Sequence, residues 1–127
     1  MEEEEVFKFE KVQGQIEGLY KEIGLLSKKS PNDAVNKFKL KFINQLLIIA
    51  NSLLTGDYKP LEGFETFEEE DLPSNSDVTF IFEQYLNCLE KFRGDNVSCD
   101  SYEWYWVVDG EVSEHKTTMP LKYKEKK

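Results

Sequence analysis

The chain has few residues of the kinds that hold metals or build a disulfide framework. It contains one histidine, His115, and two cysteines, Cys88 and Cys99, and it has no CxxC or HxxxH spacing. A structural zinc site therefore lacks ligands, and we expect no metal and no cofactor. Cys88 falls inside an apolar helical pattern and Cys99 in a polar loop. In a reducing compartment two thiols are commoner than a disulfide, which stays open as the alternative.

Long apolar runs are also missing. The densest one, residues 42–54, is interrupted by two asparagines, one glutamine and one serine, and it is shorter than the roughly 18 to 20 apolar residues that span a membrane. The chain begins with a methionine and four glutamates, the opposite of the basic start and apolar run of a secretory signal. We therefore expect a cytoplasmic protein without a transmembrane helix and without a membrane partner.

Apolar residues are nevertheless plentiful enough for a folded core. Of the 127 residues, 39% are hydrophobic and 13% are aromatic, which is more than disordered chains contain, and the length suits one domain with one core. We predict a single domain over residues 1–127, mostly α with a small β element (α+β). Residues 1–3 are expected to be disordered, residues 4–93 to form a three-helix core, residues 100–120 to form a C-terminal antiparallel β-hairpin, and residues 121–127 to form a basic tail.

The predicted first helix runs from about Glu4 to Ser27, where apolar residues recur at spacings of three and four and form a narrow seam. Gly14, Gly18 and Gly24 interrupt it, so that either a neighbouring helix approaches closely there or the helix bends. The seam can be covered by the rest of the chain or by a second copy. We expect a monomer, with a homodimer through this helix as the alternative.

Two further helices are predicted from their end signals. Ser30 followed by Pro31 marks the start of the second helix, because serine caps free amides and proline suits the first helical position, and Gly56 marks its end. The third helix is expected from about Ser76 to Gly94. The second should be the most buried element, with one face formed by Val35, Phe38, Phe42, Leu46, Ile49 and Leu53 and widened by Ile43, Leu47, Leu54 and the small Ala50.

An aromatic strand is predicted at residues 102–108, which are dense in residue types that favour strands. Asp109 and Gly110 provide a turn, which residues 111–113 lengthen, and the partner strand is expected at residues 114–119. Because strand side chains alternate between faces, Trp104 and Trp106 are predicted to be core residues. Tyr105 lies on the other face and is the candidate for aromatic contact with a partner.

The negative charge is concentrated in two short segments. The net charge is −9, from 25 acids and 16 bases, and ten of the acids lie in residues 2–5 and 62–71. Without these ten, 15 acids and 16 bases remain. Two stretches are basic, since residues 28–41 and 116–127 each hold five lysines and one acid. The molecule is therefore expected to be electrically polarised.

Residues 57–75, here called the acidic loop, are predicted to be irregular because two prolines and a glycine block regular structure. An acidic surface steers a protein toward a basic partner or imitates the charge of a nucleic acid. The predicted partner-binding residues are Glu65, Glu68, Glu69, Glu70 and Asp71. Two other interpretations stay open. In the first, the carboxylates are only solvated and the aromatic side chains of the loop pack on the helices. In the second, the carboxylates carry acid and base chemistry or bind a cation.

Two smaller features are also candidates. Lys37, Lys39 and Lys41 are the predicted contacts to nucleic acid or phosphate, although Lys39 points away from the other two on a helix. His115 has no nearby serine or cysteine motif that implies nucleophilic chemistry, and it is predicted to be an ordinary surface residue.

Three function classes follow from these features. The first is a small regulatory or interaction protein, of the inhibitor, antitoxin, immunity-protein or small-subunit type, that binds a basic protein partner and is not an enzyme. The second is a nucleic-acid-associated accessory protein that uses residues 28–41 and the basic tail. The third is an enzyme built on carboxylates of the acidic loop.

Overall fold

In the computed structural model, which describes residues 1–121, three helices are followed by a three-stranded antiparallel sheet. The predicted fold class, α+β, is therefore confirmed. Two short 3₁₀ helices, Gly56–Tyr58 and Glu69–Asp71, lie between the second and the third α-helix. The remaining residues, 122–127, hold most of the predicted basic tail and lie outside the described part of the chain. The main elements are α1 (Glu3–Lys29), α2 (Lys37–Leu53), α3 (Asn75–Asp95), β1 (Val97–Asp100), β2 (Glu103–Val108) and β3 (Glu111–Thr117).

Helix α1 contacts both other helices, and one of its faces enters the core. A Cβ at Gly14, Gly18 or Gly24 would meet no neighbouring atom within 4 Å, so these glycines do not serve close helix packing. The start of the chain takes part in the fold, contrary to the expected disorder of residues 1–3. Glu3 already lies in α1, and the carbonyl of Met1 accepts a hydrogen bond of 2.8 Å from the Asp109 N–H.

The start of α2 differs from the prediction. The helix begins at Lys37, and its cap is Asn36, whose side-chain oxygen accepts hydrogen bonds from the N–H groups of Phe38 (2.8 Å) and Lys39 (3.3 Å). Ser30 instead closes α1, because its N–H donates to the Leu26 carbonyl at 2.8 Å.

The segment between α1 and α2 is held by the start of α3. The Val35 N–H donates to the Pro73 carbonyl at 2.9 Å, and the Ser76 N–H donates to the Pro31 carbonyl at 3.0 Å. Residues that look like the first turn of a helix therefore find their hydrogen-bond partners in a distant part of the chain.

The buried face of α2 differs in part from the predicted face. Three members of the predicted face are on the exterior: Phe38 is 70% exposed, Phe42 45% and Ile49 37%. The buried residues of α2 are two members of the predicted face, Leu46 and Leu53, three of the residues predicted to widen it, Ile43, Leu47 and Ala50, and also Leu40. Apolar residues surround most of α2, so their periodicity alone does not show which side meets the core.

The β element is larger than the predicted hairpin. Residues 97–100, predicted as part of a polar loop, form β1, which pairs antiparallel with β2 so that Cys99 faces Trp104 across the strands. After the turn at Asp109 and Gly110, both at positive φ (51° and 81°), β3 begins directly at Glu111. Residues 111–113 therefore belong to the strand instead of lengthening the turn, because a two-residue turn of this kind matches the twist of antiparallel strands.

The aromatic side chains of β2 divide between core and edge. Trp106 is fully buried, and its ring meets the ring of Phe9 edge to face, with 5.1 Å between centroids. Trp104 is only half-buried. The prediction of two core tryptophans thus holds fully for Trp106 alone.

A buried ion pair joins the last turn of α3 to the end of the sheet. Arg93, 4% exposed, donates from Nε and Nη2 to both carboxylate oxygens of Glu90, at 2.9 and 2.7 Å. Its other hydrogen bonds go to the hydroxyl of Thr117 and to the carbonyls of Thr118 and Met119. The guanidinium thereby fixes the chain that leaves β3.

The Glu90 carboxylate has further donors. It accepts hydrogen bonds from Gln13 on α1 and from the Leu121 N–H. Burial opposes its ionisation, but the hydrogen bonds from Arg93, Leu121 and Gln13 and the charge of Arg93 outweigh burial and hold the pKa of Glu90 below its ordinary value. The ionised pair therefore contributes to the stability of the fold.

Candidate functional site: an anchored acidic loop

The acidic loop is attached to α2 by two asparagines. Asn44 bonds both backbone groups of Phe67: its Nδ2 donates to the carbonyl at 3.0 Å, and its Oδ1 accepts from the N–H at 3.0 Å. The Nδ2 of Asn51 donates to the Glu65 carbonyl at 3.0 Å, and its Oδ1 accepts from the Tyr85 hydroxyl at 2.7 Å. Two side chains of α2 thus form hydrogen bonds with the backbone of the segment that carries the carboxylates.

Apolar side chains of the loop add to this attachment. Phe64 and Phe67 pack against the hydrophobic core, and their rings meet edge to face with 5.1 Å between centroids. Phe64 also approaches the ring of Tyr85 on α3, at 6.5 Å. The loop is therefore packed on the helices through its aromatic side chains, as its composition suggested.

The five predicted partner-binding carboxylates all lie on the exterior, and they are Glu65, Glu68, Glu69, Glu70 and Asp71. Of the ion pairs formed within residues 1–121, none involves any of these five. Five negative charges thus lie within seven residues of an anchored backbone, without a cation from the described chain to balance them. This arrangement favours binding of a cationic group from outside.

The negative charge of the loop affects the pKa of Tyr85, a core side chain beneath it. Burial raises the pKa of the Tyr85 phenol, the hydrogen bond to Asn51 lowers it, and the nearby charge of Glu65 raises it further, so that the net shift is upward. Tyr85 therefore remains a neutral hydrogen-bond donor that supports Asn51, the second anchor of the loop.

The three predicted nucleic-acid contacts are not brought together. Lys39 lies against α1, where its Nζ is 2.6 Å from a carboxylate oxygen of Glu22. Lys37 and Lys41 are exposed on α2. One of the three lysines is thus neutralised within the chain, which leaves two for any phosphate.

Tyr105, the predicted aromatic contact, is half-buried and engaged within the sheet. Its hydroxyl donates to the Glu103 carboxylate at 2.9 Å, and Glu103 also pairs with Lys116 on β3 at 3.0 Å. The hydrogen bond to Glu103 raises the pKa of Tyr105. The ring edge that would meet a partner is therefore flanked by a carboxylate and an ammonium group.

His115 packs on α1 from β3. Its ring meets Phe7 edge to face at 5.2 Å between centroids, and its Nε2 lies 3.7 Å from a carboxylate oxygen of Glu3.

Across residues 1–121, no three histidine, cysteine, aspartate or glutamate side chains lie close enough together to hold a metal ion. No described helix is long and apolar enough to cross a membrane.

Sequence reasoning treated Asn44 and Asn51 only as interruptions of an apolar run. A signal was nevertheless present, because the two are seven positions apart and therefore lie on the same side of an α-helix. Two amides at this spacing, within the mostly apolar residues 42–54, indicate a polar surface that must be bonded when it is covered.

In comparisons with models of known protein families, with curated proteins and with solved structures, no match to this chain was found. The function proposed below is therefore supported by the residues of this chain alone.

Proposed function

We propose that the protein is an interaction protein without catalytic activity, which binds a basic protein partner through the acidic loop. The observation that carries the proposal is the set of five exposed carboxylates on an anchored backbone, none of them paired within the described residues. The protein would act as a monomer in the cytoplasm, in the manner of an inhibitor, antitoxin, immunity protein or small subunit.

The anchors matter for affinity as well as for shape. A mobile loop loses conformational freedom when a partner binds, at a cost of roughly 1 to 2 kcal/mol for each residue that becomes fixed. Asn44 and Asn51 have already fixed part of this backbone. Charge-assisted hydrogen bonds from lysine or arginine side chains of a partner would then form with less loss of freedom.

The test compares two variants with the same change in net charge. In the loop variant the carboxylates are neutralised by the substitutions Glu65→Gln, Glu68→Gln, Glu69→Gln, Glu70→Gln and Asp71→Asn. In the control variant five exposed glutamates elsewhere are neutralised by the substitutions Glu10→Gln, Glu17→Gln, Glu83→Gln, Glu111→Gln and Glu114→Gln.

Each protein is immobilised and used to capture partners from the native cell, and captured proteins are identified by mass spectrometry. We expect the wild type and the control to retain a basic protein that the loop variant loses, and we expect this binding to weaken as salt is raised. A partner retained equally by the loop variant would overturn the proposal. Circular dichroism spectra establish that all three proteins are folded.

A further inference from the structure

Helices α1 and α2 leave between them an open groove of about 600 Å³. Its apolar lining comes from Val12 and Leu19 on α1 and from Phe42, Leu46 and Ile49 on α2. Phe42 and Ile49 are the partly exposed side chains that the sequence predicted to be buried. Phe38 extends this apolar surface, since its ring contacts the ring of Phe42 at 5.0 Å.

The charged groups of the groove are all of one sign. Lys8 and Lys11 line it, its other polar residues are the neutral Gln15 and Gln45, and it has no acid. The groove is therefore locally positive in a chain whose net charge is −9. An apolar surface bordered by lysines is complementary to a segment that carries both apolar and acidic side chains.

We propose that this groove binds an acidic amphipathic helix of a partner protein. From Lys8 to Leu19, α1 advances about 17 Å at about 1.5 Å per residue, which matches roughly three turns of a docked helix. Apolar side chains at spacings of three and four would enter the groove, and carboxylates on their border would meet Lys8 and Lys11.

Charge also disfavours two other occupants. A second copy that covers the groove with its own groove adds two further lysines and no acid, so it leaves Lys8 and Lys11 without a counter-charge. An anionic membrane is an extended surface that also faces the acidic segments responsible for the net charge of −9, whereas a single acidic helix meets only the groove. The groove is separate from the acidic loop, because Asn44 and Asn51 attach that loop to a different side of α2.

The test uses two labelled synthetic peptides of about 14 residues, four helical turns. The acidic peptide has leucines at i, i+4, i+7 and i+11 and glutamates beside them, and the basic peptide has lysine in place of each glutamate. Binding to the full-length protein is followed by fluorescence anisotropy at low salt. We expect the wild type to bind the acidic peptide and to discriminate against the basic one.

Two groove variants and two matched controls make the test specific. We expect Lys8→Glu with Lys11→Glu to weaken binding of the acidic peptide about tenfold and to strengthen binding of the basic one. Phe42→Ser should also weaken it about tenfold through lost apolar contact. Lys28→Glu with Lys29→Glu, and Ile48→Ser, make the same changes at exposed positions outside the groove lining and should leave binding unchanged.

Several results would overturn the proposal. They include equal binding of the two peptides, no binding of the acidic peptide, and loss of binding in the control variants. Self-association that Phe42→Ser abolishes would identify a homodimer interface. Binding to phosphatidylserine vesicles that Lys8→Glu with Lys11→Glu abolishes would identify a lipid surface. If Phe42→Ser does not fold, Lys8→Glu with Lys11→Glu tests the proposal, because both lysines are exposed. The acidic loop variant should bind the acidic peptide as the wild type does, and this result separates the groove proposal from the function proposed above.

Discussion

Replacing Asn44 by alanine removes an anchor of the acidic loop and leaves every carboxylate in place. The substitution deletes two hydrogen bonds of 3.0 Å and leaves the N–H and carbonyl of Phe67 without their partner. A hydrogen bond contributes roughly 0.5 to 1.5 kcal/mol net. Alanine recovers up to about 0.7 kcal/mol through its helix propensity. Two such bonds contribute about 1 to 3 kcal/mol, and after alanine's gain is subtracted we expect the free energy of unfolding to fall by about 0.5 to 2.5 kcal/mol.

Urea unfolding followed by circular dichroism measures this change, with Gln45→Ala as the matched control. Gln45 is exposed on the same helix, so alanine should change its stability by less than about 0.5 kcal/mol. Hydrogen exchange gives a local measurement. In Asn44→Ala the Phe67 amide hydrogen should exchange faster than in the wild type. The increase in its exchange rate should be larger than the lower global stability alone would cause. Affinity for a basic partner should fall although no charge has been removed.

An unfolding free energy within about 0.5 kcal/mol of the wild-type value, together with unchanged exchange at Phe67, would show that Asn44 does not anchor the loop. If stability falls but partner binding stays the same, the anchor is structural and a fixed loop is unnecessary for recognition. The two results are separable because binding and stability are measured on the same variant.

Two further predictions concern the rest of the fold. Arg93→Met should lower the free energy of unfolding by about 3 to 5 kcal/mol at neutral pH, because it leaves the Glu90 carboxylate, whose side chain is only 11% exposed, without its cation. The pKa of Glu90 is lowered in the fold, so its contribution is present above the ordinary value of 4.5 and is lost as pH falls through the folded-state pKa. The difference between wild type and variant in urea unfolding should therefore shrink on acidification, and a constant difference would contradict this role. Tyr102 is fully exposed and has a φ of 71°. Tyr102→Gly should therefore raise the free energy of unfolding by about 0.5 to 1 kcal/mol. Thermal unfolding checks this, and a lower melting temperature would contradict it.

The parts of the fold that local signals determine could be predicted from the sequence. Helix α3 follows from its apolar periodicity, and its start was displaced only slightly. Its cap is Ser74, whose hydroxyl accepts from the Asp77 N–H at 3.1 Å while the Asp77 carboxylate accepts from the Ser74 N–H at 3.0 Å. The aromatic strand β2 and the turn at Asp109 and Gly110 also carry local sequence signals, a run of strand-favouring residue types and a turn dipeptide.

The parts that depend on distant pairing could not be predicted. Ser30 and Pro31 carry a helix-start signal, but their segment bonds to residues 73–76, and this outweighs a local preference. Strand β1 has only four residues, and it exists because β2 offers it a partner. The hydrogen bonds of Asn44 to Phe67 and of Arg93 to residues 117–119 join residues more than twenty positions apart, a distance over which periodicity carries no information.

Helix α2 connects the two proposed surfaces, and its composition explains why Phe38, Phe42 and Ile49 were wrongly predicted to be buried. One side holds the acidic loop through Asn44 and Asn51, and another side leaves Phe42 and Ile49 partly exposed beside Lys8 and Lys11. Burial in the core does not account for Phe42 and Ile49, since both remain in contact with water. The two surfaces also carry opposite charge. A partner segment of one sign can satisfy only one of them, so both surfaces are occupied together only when two segments of opposite charge are present.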